Sequence, residues 1–455
     1  MKGGLKMEEN PHIYTVPQGA ASSSAGAEQK PRFTATAAEG ISALLSYILA
    51  ALYIHWSGLT NSYGDGTRAV LLILATLLIV TITEILHWRK SRSRESWLWL
   101  ACFMICAVSR AFNLSSVWYD YQLGLFIHLF AVWWILTRSD SLLEGETGHL
   151  LPLDGLNGFV IFPFSNFFLR IRTLYFFPSE AIRNRRDPEK KRRISSWSVV
   201  AVIISAYLLF TAASLLISAD SGFRSRFEDI TEFLSHISDW IDSWFDEELP
   251  FRFFLELPVG CWLFGLMAGT ARQKESYREG MKSGAYGFLE NLKKVPGKVW
   301  TAVIIVFSLL YAAFFLLQGS YLFRAFTGHL PEGFIISQYA REGFFELCKV
   351  IAVNFSVLWL ATRMVTDETK NSASFLWSCL IFLAESMLFA IIAFSKLYLY
   401  IHTFGFTPLR LQSTWLVCVC FAGCAFWMWS LVTGNKSFRK WVIFSAVTLC
   451  LLCVF

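Results

Sequence analysis

Glu385 and Lys396 sit eleven residues apart inside one apolar run, 374 to 398, where charge is expensive. An ionisable group at the centre of a bilayer costs roughly 2.5 to 3.5 kcal/mol on insertion scales, so one found there is a candidate proton carrier or ion partner. At 100° per residue, eleven residues bring the helix back to within about 20° of its starting face and about 16 Å further along the axis. Glu385 is therefore expected near the midplane, with Lys396 towards the outer surface on the same side. Glu342, Glu346 and Lys349 open the preceding run within about 60° of one another, and Glu346 with Lys349 makes an i,i+3 pair. Asn354 follows deeper and somewhat round the helix. If the two runs face each other, these residues line an outward-opening polar cleft with a carboxylate at its floor. Arg324, Glu332, Tyr339 and Arg341 before it, and Tyr400 and Arg410 after it, would form the mouth. A plainer role suits the same side chains equally well, namely hydrogen bonds that tie helices together.

Such positions require membrane helices, and the composition supplies them. Of 455 residues, 55% are hydrophobic and only 16% charged, against about 25% charge in ordinary soluble domains. A spanning helix needs about 20 apolar residues to cross a core of about 30 Å. Runs of that kind cover 38–57, 69–88, 96–113, 116–137, 195–218, 252–271, 299–319, 343–364, 374–398, 413–433 and 441–455. The expected fold class is thus all-α, a polytopic transmembrane bundle of about 11 spans, with ten as the alternative count because the third and last runs are short. Residues 1–36, polar and rich in Ala, Ser and Gly, read as a disordered cytoplasmic tail; 37–455 reads as a single bundle.

Lys and Arg in short loops mark the cytoplasmic side. Here they gather in alternate connections: Arg89 to Arg94, Arg183 to Arg193, Arg272 to Lys298, and Lys436 to Lys440. The loop 219–250 is acidic instead. That alternation places the N-terminus in the cytoplasm and the C-terminus outside. The net charge of +6 borders membrane segments with no accompanying nucleic-acid module, so anionic lipid is the expected partner rather than nucleic acid.

Two amphipathic stretches interrupt the pattern. In 223–248, Phe227, Ile230, Leu234, Ile237, Ile241 and Trp244 recur at steps of three and four, the mark of a helix lying on the outer surface, capping the bundle or docking a protein partner. Residues 157–178 are strongly aromatic but broken by Pro163, Ser165, Asn166, Arg170 and Arg172. An inner-leaflet interfacial or re-entrant segment fits there, its arginines snorkelling towards phosphates.

Other polar groups carry weaker signals. Glu84, His87 and Asp120 lie near expected span ends, and His128, alone on an apolar face, suits a hydrogen-bonded packing residue. Gly265 and Gly269 have the small-xxx-small spacing that lets a neighbour approach closely. All ten cysteines fall inside apolar runs; Cys450 and Cys453 make a CxxC and Cys102 and Cys106 sit one turn apart, yet no loop or span adds a second pair at zinc-finger spacing, so packing is the better reading, and neither metal nor cofactor is expected. No HExxH, P-loop, GxSxG or dinucleotide fingerprint occurs.

The segments Tyr339-Ala-Arg-x-Gly-Phe-x-Glu-Leu347, Tyr400-x4-Gly-x-Thr-x2-Arg410, Leu151-Pro-Leu-Asp-Gly-Leu-Asn-Gly158 and Pro163-Phe-Ser-Asn166 resemble those of bacterial multi-spanning membrane proteins grouped as domain of unknown function 4173, related to the 4153 group. The resemblance covers most of the chain from about residue 95 and implies a bacterial cytoplasmic membrane, with no substrate. Three functions are expected in order: a transporter or flippase-like bundle carrying a small solute or lipid, with Glu385 or Glu346 binding a proton; an intramembrane enzyme on a lipid or envelope precursor, with Glu342 or Glu346 as base and Arg341 or Arg410 holding a phosphate; and a membrane sensor or assembly factor acting through protein partners.

Overall fold

Long apolar runs leave no choice but helix, because a bilayer offers backbone groups no hydrogen-bond partners. The computed structural model describes residues 33–57, 65–183, 249–293, 296–327, 336–370 and 372–454, and among these no strand is present. In chain order the elements are α1 (Ala37–Ser57), α2 (Asp65–His87), α3 (Arg94–Ala111), α4 (Asp120–Arg138), α5 (Leu151–Leu156), a π-helical turn (Asn157–Ile161), α6 (Phe162–Ser165) and α7 (Leu169–Arg183). Then follow α8 (Leu249–Ala271), α9 (Glu275–Leu292), α10 (Gly297–Thr327), α11 (Ile336–Met364), α12 (Asp367–Lys370), α13 (Ala373–Phe404), α14 (Pro408–Thr433) and α15 (Phe438–Cys453). Ten of the expected apolar runs coincide with helices. The eleventh, 195–218, lies outside the described residues, as do most of the N-terminal tail and the amphipathic stretch 223–248. Among the described residues, six helices are long and apolar enough to cross a membrane: Ala37–Ser57, Thr67–His87, Gly297–Leu317, Gly343–Met364, Ala373–Phe404 and Pro408–Thr433; Leu255–Ala271 is a shorter apolar helix.

The chain divides at Thr34 into a first unit, Met1–Thr34, and a helical unit, Ala35–Phe455. Within the helical unit, two apolar cores organise the packing. One gathers α1 to α4 with α8 and α15 around Phe103, Trp134 and Leu266. The other gathers α10, α11, α13 and α14 around Phe375, Phe382 and Leu358. Helix ends follow local chemistry. The Ser93 and Ser372 hydroxyls cap α3 and α13 by accepting from Ser96 N and Phe375 N. Gly405 ends α13 at φ +78°, ψ 176°, a conformation open essentially only to glycine. Thr407 is extended and Pro408 begins α14, where a missing N–H costs nothing.

Residues 151–183 form a broken helix set into the first core. One face of its entry is buried: Asp154, Asn157 and Phe162 are all at most 4% exposed. A Cβ on Gly158 would fall within 2.8 Å of Val132 and Leu136 on α4. On α8, a Cβ on Gly265 would meet the Pro163 carbonyl at 2.7 Å, and one on Gly269 the Asn166 side chain at 2.5 Å. The small-xxx-small pair therefore receives α6. Helix α9, in the basic connection where no element was expected, has no buried residue. It is anchored by Arg278 to Asp140 and by Tyr286 to Glu144.

Candidate functional site

The polar residues of α11 and α13 separate into four groups, each set by helical phase. Asn354 is 1% exposed; Tyr311 of α10 donates to its Oδ1 at 2.6 Å, and its Nδ2 donates to Ser386 Oγ of α13 at 2.9 Å. Three helices are thereby tied by one amide. Lys396, 5% exposed, lays its ammonium against Gly343 of α11 at a place a Cβ would occupy, and Glu346 supplies an opposing charge. Glu346 and Lys349 are themselves exposed.

The Arg410 guanidinium lies 4.2 Å from the Tyr400 ring and donates to the Gly405 carbonyl, so it locks the corner between α13 and α14. Glu385, midway along α13 and half-buried, turns towards Ser308 of α10 rather than towards α11. Its Oε2 is buried without a hydrogen-bond partner, and so is Ser308 Oγ. Between α11 and α13, the most extensively packed pair, Ile351, Leu358, Phe382 and Leu383 are 0–1% exposed in one apolar core. The seven expected site residues whose side chains are described, Glu346, Lys349, Asn354, Glu385, Lys396, Tyr400 and Arg410, therefore fall into separate surroundings. Tyr339, Arg341 and Glu342 lie on the first turns of α11, and their side chains fall outside the described residues; Glu332 lies outside them altogether, and Arg324 does so with its side chain.

The first core carries ionic structure that spacing along a single run could not reveal. Arg138, 3% exposed at the end of α4, donates through Nε and Nη2 to both Glu84 oxygens at 3.0 Å, through Nη2 also to His87 O at 2.9 Å, and through Nη1 to Lys90 O at 3.2 Å. Arg92 reaches the same carboxylate at 2.5 Å. Glu95 takes Trp99 Nε1 at 2.9 Å, the Thr147 hydroxyl and Arg439 of α15 at 3.0 Å. Glu39 pairs with Arg272 of α8. His128 bonds to Tyr53 and to Gly124 O.

Arg170 corrects the expectation of snorkelling. It is 4% exposed and turned into the bundle, 5.4 Å from the Tyr47 ring, against Gly260. Glu256, also buried, meets the same tyrosine. Arg170 is visible in the sequence as a charge in an aromatic run, but its partner is not: Glu256 lies in a run remote from it, a distance that phase along one helix does not bridge. Arg172, two residues on and therefore on the opposite side of α7, is exposed.

A polar cleft of about 270 Å³ opens where Lys90, Asp140, Gln273, Lys274 and Arg278 meet. Burial there pushes the Lys90 ammonium below its ordinary range, with the Asp140 carboxylate acting against the shift. Lys90 Nζ donates to Ser139 O at 2.6 Å, and Arg278 is held by Asp140 and Glu275. The cations of the cleft are thus mostly committed to the protein. Among the described residues, no cluster of three or more His, Cys, Asp or Glu side chains has the arrangement of a metal site.

No curated protein and no solved structure matches the chain. Apolar helices, buried charges paired across helices and the Gly-Pro corner after α13 describe an integral membrane protein, and a family model matches it over residues 67–455: the chain belongs to the family defined as domain of unknown function DUF4153.

Proposed function

We propose that the chain is a transporter of a bacterial cytoplasmic membrane, moving a small solute or a lipid, with Glu385 as the group that takes up and releases a proton. The same proposal includes eleven spans, the N-terminus in the cytoplasm and the C-terminus outside, supported by the alternating basic loops. One observation carries the reading: the Glu385 carboxylate is withdrawn from solvent at mid-helix, faced by the Ser308 hydroxyl and, among the described residues, by no cation. Asn354 and Lys396, the fully buried polar groups beside it, are tied into packing, whereas a carboxylate with no counter-charge is costly enough to need a use.

The test uses purified chain in proteoliposomes that enclose a pH-sensitive dye, with a pH gradient imposed and fractions of a soluble small-molecule extract or lipid extract added. Wild type is expected to dissipate the gradient with at least one fraction, and Glu385→Gln to hold it while keeping its helical circular dichroism and melting midpoint. If wild type and E385Q hold the gradient equally with every fraction, the reading is wrong.

A second reading is favoured by the packed contact of α11 with α13. In it the chain is an assembly factor or sensor, Asn354 and Lys396 fasten the bundle, and a protein partner docks on 223–248. Leu234→Glu would then abolish partner capture from membranes while E385Q leaves it unchanged.

A further inference from the structure

Asp154 and Asn157 occupy the deepest point of the broken helix 151–183, one turn apart and therefore on one face. Asp154 is 1% exposed and Asn157 is 0% exposed. Leu143 N donates to Asp154 Oδ1 at 2.9 Å. Nothing meets Asp154 Oδ2, and neither Oδ1 nor Nδ2 of Asn157 has a partner. Three polar atoms on adjacent turns are thus buried without a hydrogen bond, where each ordinarily costs about 1–3 kcal/mol.

The backbone around them is unusual in the same place. Asn157 begins a π-helical turn that ends at Ile161. Such turns insert one extra residue, disturb the regular ladder of carbonyl acceptors and cluster at functional sites. The surroundings give the carboxylate no counter-charge: Glu144 is the titratable neighbour that acts on Asp154, and its charge is of the same sign. Glu144 is itself held by Tyr286 of α9 at 2.5 Å, with His149 beside it. From α4, the face that meets the π turn is apolar, Val132 and Leu136 lying against Gly158.

The geometry points to a buried site for a monovalent cation, seated between Asp154 Oδ2 and Asn157 Oδ1 at the π turn. A buried carboxylate with one backbone hydrogen bond is stable only when its charge is cancelled. A hard cation such as Na⁺ takes oxygen ligands; these side chains supply two of them, the carbonyls displaced from the regular ladder at the π turn are the nearest source of more, and the same two oxygens suit a proton shared from the carboxyl to the amide. Burial also pushes the Asp154 carboxyl up to about 7, against the pull of the Leu143 N–H, so proton and Na⁺ would compete near neutrality. The site is remote in sequence from Glu385 and does not rest on the transport proposal, because cation binding is read without any transported solute.

The experiment follows the melting midpoint of the purified full chain in nanodiscs while Na⁺ replaces choline at constant ionic strength, at pH 5, 6.5 and 8, in wild type, Asp154→Asn and Asn157→Ala. With Na⁺ as the ligand, the wild-type midpoint rises with Na⁺ at pH 8 and less so at pH 5, the half-saturating Na⁺ concentration is several-fold higher in N157A, and D154N responds to neither. With a proton as the ligand, the wild-type midpoint ignores Na⁺ but falls from pH 5 to pH 8, and D154N is flat. The site does not exist if wild type responds to neither variable, or if D154N responds as wild type does. Should D154N not fold, the wild-type and N157A series decide alone.

Discussion

Replacing Arg138 by Met should be among the most damaging single changes in the first core. The residue is 3% exposed and its guanidinium makes two charge-assisted bonds to Glu84 and one each to His87 O, at the end of α2, and Lys90 O, in the turn that follows. Methionine fills much of the stem's volume but leaves the Glu84 carboxylate and both carbonyls without their donor. Removing one partner of a buried pair costs about 3–5 kcal/mol. Two features pull the figure towards the lower end: the Glu84 side chain keeps 28% of its surface in contact with solvent, and Arg92 still reaches it at 2.5 Å. We expect about 3 kcal/mol for Arg138→Met and about 1–2 kcal/mol for Glu84→Gln, since in the latter Arg138 keeps its two carbonyls. The two residues share one bonded unit, so the double variant should cost about 1–2 kcal/mol less than the sum. Reversible unfolding in mixed micelles, followed by circular dichroism, measures all four members of the cycle. A single-variant cost below about 1 kcal/mol, or strict additivity, would mean that this fork is a surface ion pair of the ordinary weak kind and that the core of α2, α3 and α4 is held by packing alone.

Two further outcomes test the other ties. Asn354→Val removes the acceptor of Tyr311 and the donor to Ser386; at about 0.6 to 1.7 kcal/mol for each interhelical bond, the same unfolding assay should show a loss of about 1–3 kcal/mol, with Tyr311→Phe adding little in the N354V background. Gly265→Ala should cost about 1–3 kcal/mol, because its Cβ would meet a backbone carbonyl, Pro163 O at 2.7 Å, which cannot step aside; Gly280→Ala, in open space on α9, is the control expected to be neutral or slightly stabilising.

How much of this was legible in the sequence depended on the range of the physics involved. Apolar length is local, so ten runs coincide with helices, although α10, α11 and α13 extend six to eight residues beyond the apolar stretch at one end. The pairing of Gly265 and Gly269 with a neighbour was legible too, since only a close approach demands that spacing, although the neighbour is the broken segment at Pro163 and Asn166 rather than a spanning helix. Helical phase put Glu385 and Lys396 on one side of α13 but said nothing of what faces them. Glu385 turns to Ser308 of α10, and Lys396 fills the space left by Gly343. Arg138 with Glu84, and Arg170 with Glu256 across Tyr47, are tertiary pairings between runs remote in sequence, and no periodicity within one run encodes them. Helix α9 was missed because its face buries nothing; hydrophobic patterning detects only helices that have an inside.

The motifs that carried the family resemblance divide in an informative way once their contacts are known. Tyr400, Gly405 and Arg410 build a helix corner, and Gly343 with Glu346 accommodates Lys396. Each has its polar atoms satisfied or its small size used, so a structural duty already accounts for its residue type. Leu151 to Gly158 does not close in that way: Gly158 has a packing reason, but Asp154 Oδ2 and both polar atoms of Asn157 do not. The same is true of Glu385 and Ser308 in the second core. In a bilayer, a polar side chain that repays its burial with hydrogen bonds can be retained for stability alone, whereas one that leaves buried atoms unpaired lowers stability and persists only with a second use. Stabilising, well-tolerated Asp154→Asn and Glu385→Gln substitutions that abolish cation response or proton movement would place function at these unpaired atoms; substitutions that destabilise like Asn354→Val would return both residues to the framework.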